Sequence, residues 1–284
     1  MSKKEKILIT GVTVFVGSHM LDFLIENSNS RIFGLKRPNA QLKNIHHALN
    51  EIELVNGDLN DQTSLIKIIS KIKPDKIYHF GALSWVTPSW DMPDIYMKTN
   101  AIGTIYLFEA CLQNKIMPRI LISATPEEFG DVPENMIPIT EETRVHPINP
   151  YAASKAAQDM LAMTYFASYN FPIIRTRAFN HEGPRRDKVF GIPWYAYQIA
   201  KIEKGYQDPF MEVGHLDDKR NFTHVKDVVE AALFFINDKN YSTQIYFVSI
   251  QCKLLFQINL PQLLQFSCSF LLNSNQINMF IFCK

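Results

Sequence analysis

No stretch of this 284-residue chain approaches the roughly 20 consecutive apolar residues of a membrane span, so no spanning helix is expected. An excess of one charge is missing too. With 29 basic and 28 acidic side chains the formal net charge is +1, which offers no electrostatic case for nucleic acid or an anionic membrane as partner. The four cysteines, Cys111, Cys252, Cys268 and Cys283, have no C-x-x-C spacing, which argues against a metal site and against a disulfide framework. Met1–Lys6 runs into a strand-like segment without an apolar signal region, so a cytoplasmic location is the expectation. One deficit is local. Residues 247–284 contain no Asp, Glu or Gly, yet hold three of the four cysteines, and their only charged side chains are Lys253 and Lys284. Setting those two aside leaves 27 basic against 28 acidic residues in 1–246, so the charge balance lies almost wholly upstream.

What is present reads as an ordinary globular chain of one large or two smaller domains, 46% apolar and 20% charged. Lys6-Ile7-Leu8-Ile9-Thr10 is a short apolar run ended by Gly11, as a buried parallel strand should be. Gly11 to Gly17 follows, with Val14 between the two glycines, and then a helical pattern from Ser18 to Ile25. Strand, glycine turn and helix in this order make a dinucleotide-binding turn credible, Gly11 permitting the tight bend and the helix N-terminus facing a pyrophosphate. A second strand, Arg31–Leu35, leads to Lys36 and Arg37, where an NAD site usually places an acid. Two cations there suit a 2′-phosphate, which favours NADP and leaves NAD possible.

Further along, Glu53–Leu59 reads as a third strand and turn, with Asp58 expected beside an adenine. Ser64–Lys71 and Thr99–Leu112 read as helices, Lys76–Ala82 and Arg119–Ser123 as strands four and five. Strands alternating with helices predict an α/β fold, a doubly wound parallel sheet of the Rossmann kind. Ligands of such sheets sit beyond the carboxyl ends of the strands, which should gather Gly11, Lys36, Asp58, Gly81 and Thr125 at one edge.

The stretch Asn149–Lys155 opens another helical run. Tyr151 and Lys155 are four residues apart, so both stand on one helix face. An ammonium close to the phenol would lower its titration point from about 10 and let it move a proton at neutral pH, as a hydroxyl–carbonyl interconversion requires.

Over residues 5–246 the chain resembles the extended short-chain dehydrogenase/reductase family. Within it the chain is similar to the GDP-mannose 4,6-dehydratase and GDP-4-keto-6-deoxy-mannose reductase group. The likeness rests on the glycine turn, the G-D-L turn at Gly57–Leu59, Ser84–Trp90, Tyr151 with Lys155, Arg177–Arg186 and Lys219–Asp227, in that order. It implies Thr125, Glu127, Tyr151 and Lys155 as catalytic residues. Pro126 lies between the first two, where it restricts Thr125 to extended conformations. It implies a cofactor site of Gly11, Thr13, Phe15, Val16, Gly17, Lys36, Arg37, Asp58, Leu59, Gly81, Ala82 and Asn100, joined by Tyr151 and Lys155. Ser84, Asn180, Arg185 and Arg220 are implied as residues for a GDP-sugar, the guanidinium groups suiting a diphosphate.

The chemistry implied by this likeness is an internal redox cycle. NADP takes a hydride from C4 of the sugar while Tyr151 removes the hydroxyl proton. Glu127 then takes the C5 proton, water leaves C6, and the hydride returns there. Thr125 would bond the C4 oxygen, and Lys155 would bind ribose and tune Tyr151. Two alternatives stay open: a reductase of the keto sugar, and an inactive nucleotide-binding remnant. The resemblance also implies a homodimer formed through the helices carrying Asn100 and Tyr151. The domain reading is 1–175 for the NADP-binding part with the catalytic helix, 176–246 for an incomplete substrate-binding part, and 247–284 for the atypical tail. That tail is expected to come from a shifted reading frame or a retained non-coding segment, or else to be a divergent packing or partner helix.

Overall fold

The computed structural model describes residues 4–214, 220–237 and 245–248. The chain begins with β1 (Lys6–Thr10), α1 (Phe15–Asn27), β2 (Arg31–Lys36), β3 (Ile52–Asn56), α2 (Gln62–Ile72) and β4 (Lys76–His79). A short α3 (Pro93–Tyr96) runs through a π-helical turn, Met97–Ile102, into α4 (Gly103–Gln113). β5 (Arg119–Ala124) is followed by a 3₁₀ turn, Pro126–Phe129, and then by the long α5 (Pro150–Tyr169). β6 (Ile173–Ala178), β7 (Asn180–Glu182), α6 (Gly191–Glu203), β8 (Phe222–His224), α7 (Val225–Asn237) and β9 (Ile245–Val248) complete the order.

Seven strands form one parallel sheet in the order β3-β2-β1-β4-β5-β6-β9, while β7 and β8 make a separate two-stranded sheet. The expected doubly wound α/β architecture is present, with two strands more than the five read from the sequence. Alternation along β1 sorts its side chains to two faces. Leu8 packs on one side with Leu65 and Ile69 of α2 and Leu107 and Phe108 of α4. Ile7 and Ile9 pack on the other with Met20, Leu21 and Leu24 of α1 and Val229 and Ile236 of α7. Because both faces are covered, the strands read as near-continuous apolar runs.

Two compact units emerge, Met1–Asp187 with Thr223–Val248, and a second that includes Lys188–Phe222. Of the strands near the expected bounds, β6 covers Ile173–Ala178 and β9 Ile245–Val248. Parallel pairing of β9 with β6, Arg175 opposite Ile245 through Ala178 opposite Val248, ties that late strand to the sheet. Within the second unit, α6 is pinned by Gln198, which donates from Nε2 to the Glu212 carbonyl at 2.8 Å and accepts from the Glu212 N–H at 2.7 Å. Residues 249–284, with the proposed change of frame and three of the cysteines, lie outside the described residues. No helix among the described residues is long and apolar enough to cross a membrane.

Candidate active site

The turn after β1 closes tightly. Gly11 adopts φ +70°, and a Cβ there would lie 2.8 Å from the Gly81 nitrogen at the end of β4. A Cβ on Gly17 would meet the Gly11 carbonyl oxygen at 2.1 Å, so only hydrogen lets α1 approach the strand this closely. Val14, the N-cap of α1, has φ −101°, a backbone conformation any L-residue adopts, and its side chain stands 50% exposed. The middle position therefore needs no glycine for its conformation. The first N–H groups of α1, at Phe15, Val16 and Gly17, have no partner within the helix and face outward from the turn. Thr13 offers its carbonyl to Asn44 at 3.2 Å.

Lys36 and Arg37 stand at the end of β2. Lys36 folds over its own loop, donating to the Pro38 carbonyl at 3.2 Å and the Arg37 carbonyl at 3.4 Å, and Arg37 is exposed. Asp58 accepts from the Asn60 N–H at 2.9 Å and so braces its own turn. Leu59 is a core residue whose side chain lies against Gly81 and whose carbonyl lies beside Gly103. Ala82 follows Gly81 at the same edge, partly exposed. Asn100 is fully enclosed: its amide clamps both backbone groups of Leu83, at 2.8 and 2.9 Å, and donates to Ser154 Oγ at 2.9 Å. Every polar atom of that side chain is committed, so Asn100 shapes the cofactor edge from behind.

Thr125 caps the 3₁₀ turn that follows β5. Its Oγ1 accepts from the Glu127 N–H at 3.4 Å, and the Glu128 carboxylate accepts from the Thr125 N–H at 3.3 Å, a capping box that fixes both residues. Pro126 at the first helical position suits this turn, since the N–H it lacks would have no partner there. Thr125 is held extended before it, at φ −146° and ψ 149°. The two adjacent acids part company. Glu128 is fully buried and pairs with Arg177, whose Nε lies 3.0 Å away, while Glu127 is half-buried; the charges of both bear on Tyr151.

Asn149 caps α5 by accepting from the Ala152 N–H at 2.8 Å, and Tyr151 stands in the first turn, where Thr125 is among the groups that bear on its hydroxyl. Burial pushes the phenol up to about 12, Glu127 and Glu128 add to the rise, and Thr125 and Arg186 oppose it. Lys155, one turn further along α5, is held by acceptors of its own. The Lys155 ammonium donates to the Ser123 carbonyl and to Gln158 Oε1, on the inner side of the helix. Burial lowers Lys155 to about 8, against the pull of Glu128 and Asp159. The cation that favours the phenolate is Arg186, a residue the sequence reading passed over in favour of Arg185. The adjacent Arg185–Arg186 pair was the available signal, but spacing alone does not say which of two neighbours turns inward. Arg186 lies over the Phe15 ring at 5.0 Å, whereas Arg185, at φ +70°, pairs with Asp22 of α1 at 2.7 Å. His181 stacks on Phe15 at 5.8 Å and burial lowers it to about 4; Glu182 is raised to about 7 by burial, Arg186 opposing.

Behind these groups lies a buried ion network. Arg177 bridges Glu128 at 3.0 Å and Asp159 at 2.8 Å, and Arg175 reaches Asp159 at 3.0 Å. Of the expected substrate residues, Asn180 begins β7 and Ser84 is exposed after β4. Arg220 is exposed within the second unit. Among the described residues no cluster of His, Cys, Asp or Glu could hold a metal ion.

A glycine-turn dinucleotide fold carrying a tyrosine and lysine four apart on the helix after strand five defines an extended short-chain dehydrogenase/reductase. Its likeness in sequence narrows this further. The family model described as GDP-mannose 4,6 dehydratase matches residues 8–251, and the chain belongs to that family. It is 34% identical over 244 residues to the GDP-mannose 4,6 dehydratase of Homo sapiens, covering 82% of this chain and 65% of that protein. It is 34% identical over 236 residues to the GDP-mannose 4,6-dehydratase of Yersinia enterocolitica, covering 79% and 62%. The chain thus spans less than two thirds of the length of these relatives. The structure of RMD from Pseudomonas aeruginosa complexed with NADPH superposes with a TM-score of 0.75 at 28% identity, over 87% of this chain and 78% of that one. DesIV of Streptomyces venezuelae, a dTDP-glucose 4,6-dehydratase with NAD and TYD bound, shares the fold with a TM-score of 0.80 at 23% identity, over 93% and 81%.

Proposed function

We propose that the chain is a nucleotide-sugar 4,6-dehydratase that converts GDP-mannose to GDP-4-keto-6-deoxy-mannose with NADP(H) as a returning hydride carrier. The observation that carries this is the placement of Thr125 and Glu127 on one capped turn beside Tyr151, in a chain of the GDP-mannose 4,6 dehydratase family. The residues present fit the cofactor. Gly11, Gly17 and Gly81 let β1, α1 and the segment after β4 pack where a Cβ at any of them would collide, which brings the N-terminus of α1 to the turn that would take a pyrophosphate, and Lys36 and Arg37 suit a 2′-phosphate.

Bound there, the nicotinamide supplies hydride acceptance and return. Tyr151 exchanges the proton of the C4 hydroxyl, Thr125 holding its oxygen in place and Arg186 favouring the phenolate. Glu127, next to this pair and outside the ion network, moves the C5 proton. Glu128 has no part in the chemistry, since Arg177 and the Thr125 N–H occupy it. Asn180, Ser84 and Arg220 belong to this proposal as groups for the GDP-sugar. Arg185 would exchange the Asp22 carboxylate for a phosphate. A homodimer through α5 and the helical segment carrying Asn100, and a cytoplasmic location, belong to it as well. Met160 and Met163 on α5, 58% and 45% exposed, support a covered helix face.

The test is incubation with GDP-mannose and no added reductant. Formation of the 4-keto-6-deoxy sugar is expected. Turnover of the keto sugar alone, with NADPH consumed in proportion, would replace this reading with the reductase.

A further inference from the structure

An unbroken line of buried hydrogen bonds runs beneath α5 that the chemistry above leaves unused. Its directions follow by elimination. The Thr104 hydroxyl donates to the Asn100 carbonyl at 2.7 Å, so Thr104 Oγ1 can only accept from its other neighbours, Gln158 Nε2 at 2.7 Å and His79 Nε2 at 2.9 Å. His79 is then the tautomer protonated on Nε2. Its Nδ1 accepts from the Thr10 hydroxyl at 2.8 Å, and Thr10 Oγ1 accepts from the Gly81 N–H at 3.0 Å. Complete burial holds His79 neutral, lowered to about 3, and the charge of Lys155 adds to this. With its NH₂ group assigned to Thr104, Gln158 presents its carbonyl oxygen to the ammonium of Lys155. Gln158, Thr104 and His79 are each no more than 1% exposed, so none of these bonds competes with water.

The line does not conduct protons. The one hydroxyl proton of Thr104 is spent on Asn100, and an amide has no labile site to pass one on. It keeps an oxygen in place.

We propose that Gln158 is a positioning residue for this active site: its carbonyl, oriented from Gly81 through Thr10, His79 and Thr104, anchors the ammonium of Lys155 and favours its charged form. The proposal rests on the reading of Tyr151 and Lys155 as the catalytic pair. The groups that bear on Lys155 come from each neighbouring element. Glu128 on the 3₁₀ turn and Asp159 on α5 favour the ammonium, Arg177 of β6 offsets those two carboxylates, and His79 of β4 is neutral. Gln158 and the Ser123 carbonyl are the uncharged acceptors that touch it.

The test titrates Lys155 directly, by NMR of the protein labelled with ¹³C at the lysine ε-carbon, beside the pH profile of kcat. Gln158→Leu removes the acceptor and should weaken proton binding by Lys155 about tenfold or more, the scale of one hydrogen bond to a charged group. The alkaline limb of kcat should move down with it while KM changes less than about twofold. Gln158→Glu replaces the carbonyl with a carboxylate and should move both readouts the opposite way. Thr104→Val, which frees the amide of Gln158 without touching Lys155, should act in the direction of the leucine variant and serves if that variant does not fold. Folded variants whose Lys155 titration stays at the wild-type position, or shifts the same way for leucine and glutamate, overturn the proposal. Because the NMR titration needs no turnover, an inactive wild-type chain would refute the assigned reaction and still leave the role of Gln158 decided.

Discussion

Replacing Arg177 with methionine tests the most tightly determined electrostatics of the molecule. The guanidinium bonds Glu128 at 3.0 Å and Asp159 at 2.8 Å and lies 4.9 Å over the Phe129 ring. Arg177, Glu128 and Asp159 are each at most 2% exposed. Removing the cation leaves two buried carboxylates with only Arg175 on Asp159 and the Thr125 N–H on Glu128, a loss of about 3–5 kcal/mol. That is a large share of the 5–15 kcal/mol that typically holds a domain folded. The sign of the pH dependence follows from Glu128. Burial, with Asp159 beside it, already raises it to about 7 although Arg177 lowers it, so in the variant it must rise further. A carboxyl whose folded value exceeds its unfolded value binds more protons when folded, and stability falls as pH rises towards the folded value. Wild type completes that fall near 7 and the variant continues above it, so the gap between them should be wider at pH 9 than at pH 6. Urea unfolding followed by tryptophan fluorescence at the two pH values measures both. Adding Glu128→Leu to Arg177→Met should recover the share of the loss that Glu128 carries, less about 1 kcal/mol for the lost cap, and leave the share of Asp159. A loss under about 1 kcal/mol, a gap that does not widen with pH, or no recovery in the double variant would refute the reasoning.

Glu127→Gln should leave unfolding unchanged and lower the rate of keto-sugar formation by about 10²–10⁴-fold. Loss of the fold would show that Glu127 is structural like its neighbour. Arg186→Ala removes the cation that lowers Tyr151, so the acid limb of kcat should move to higher pH; an unmoved limb would show that Arg186 acts elsewhere. Gly17→Ala places a methyl where only 2.1 Å separates it from the Gly11 carbonyl, and should abolish NADPH binding in a fluorescence titration while wild type binds.

The sheet was legible because its strands are buried on both faces and therefore apolar throughout. Lys6–Thr10 was read to the residue, and the strand at 119 was short by one. The ends of strands two and four differed because polar Lys36 pairs within β2 and because Gly81 and Ala82 leave the ladder to form the ligand edge. The helix expected from Thr99 begins as a π turn, a distortion with no composition of its own, and its bulge is where Asn100 turns inward to Leu83. The places of Tyr151 and Lys155 on one helix, and of Thr125 and Glu127 just after β5, were legible through spacing and resemblance. Lys155's partners were not. Ser123 is 32 residues away, and Gln158 needs Thr104 and His79, from two other elements, to settle which way its amide faces. Arg177 likewise belongs to a familiar run of residues, yet its position facing Glu128 and Asp159 follows only from the pairing of β5 with β6.

The capped turn from Thr125 to Phe129 carries a consequence for how the site can change. Thr125 and Glu127 ride on a single bracket, closed on itself by the capping box and tied to the sheet through the Glu128 pair with Arg177 of β6. A shift of that bracket carries both groups together and preserves their separation. Variation in this chain can move the pair as a unit far more readily than it can change the spacing within the pair.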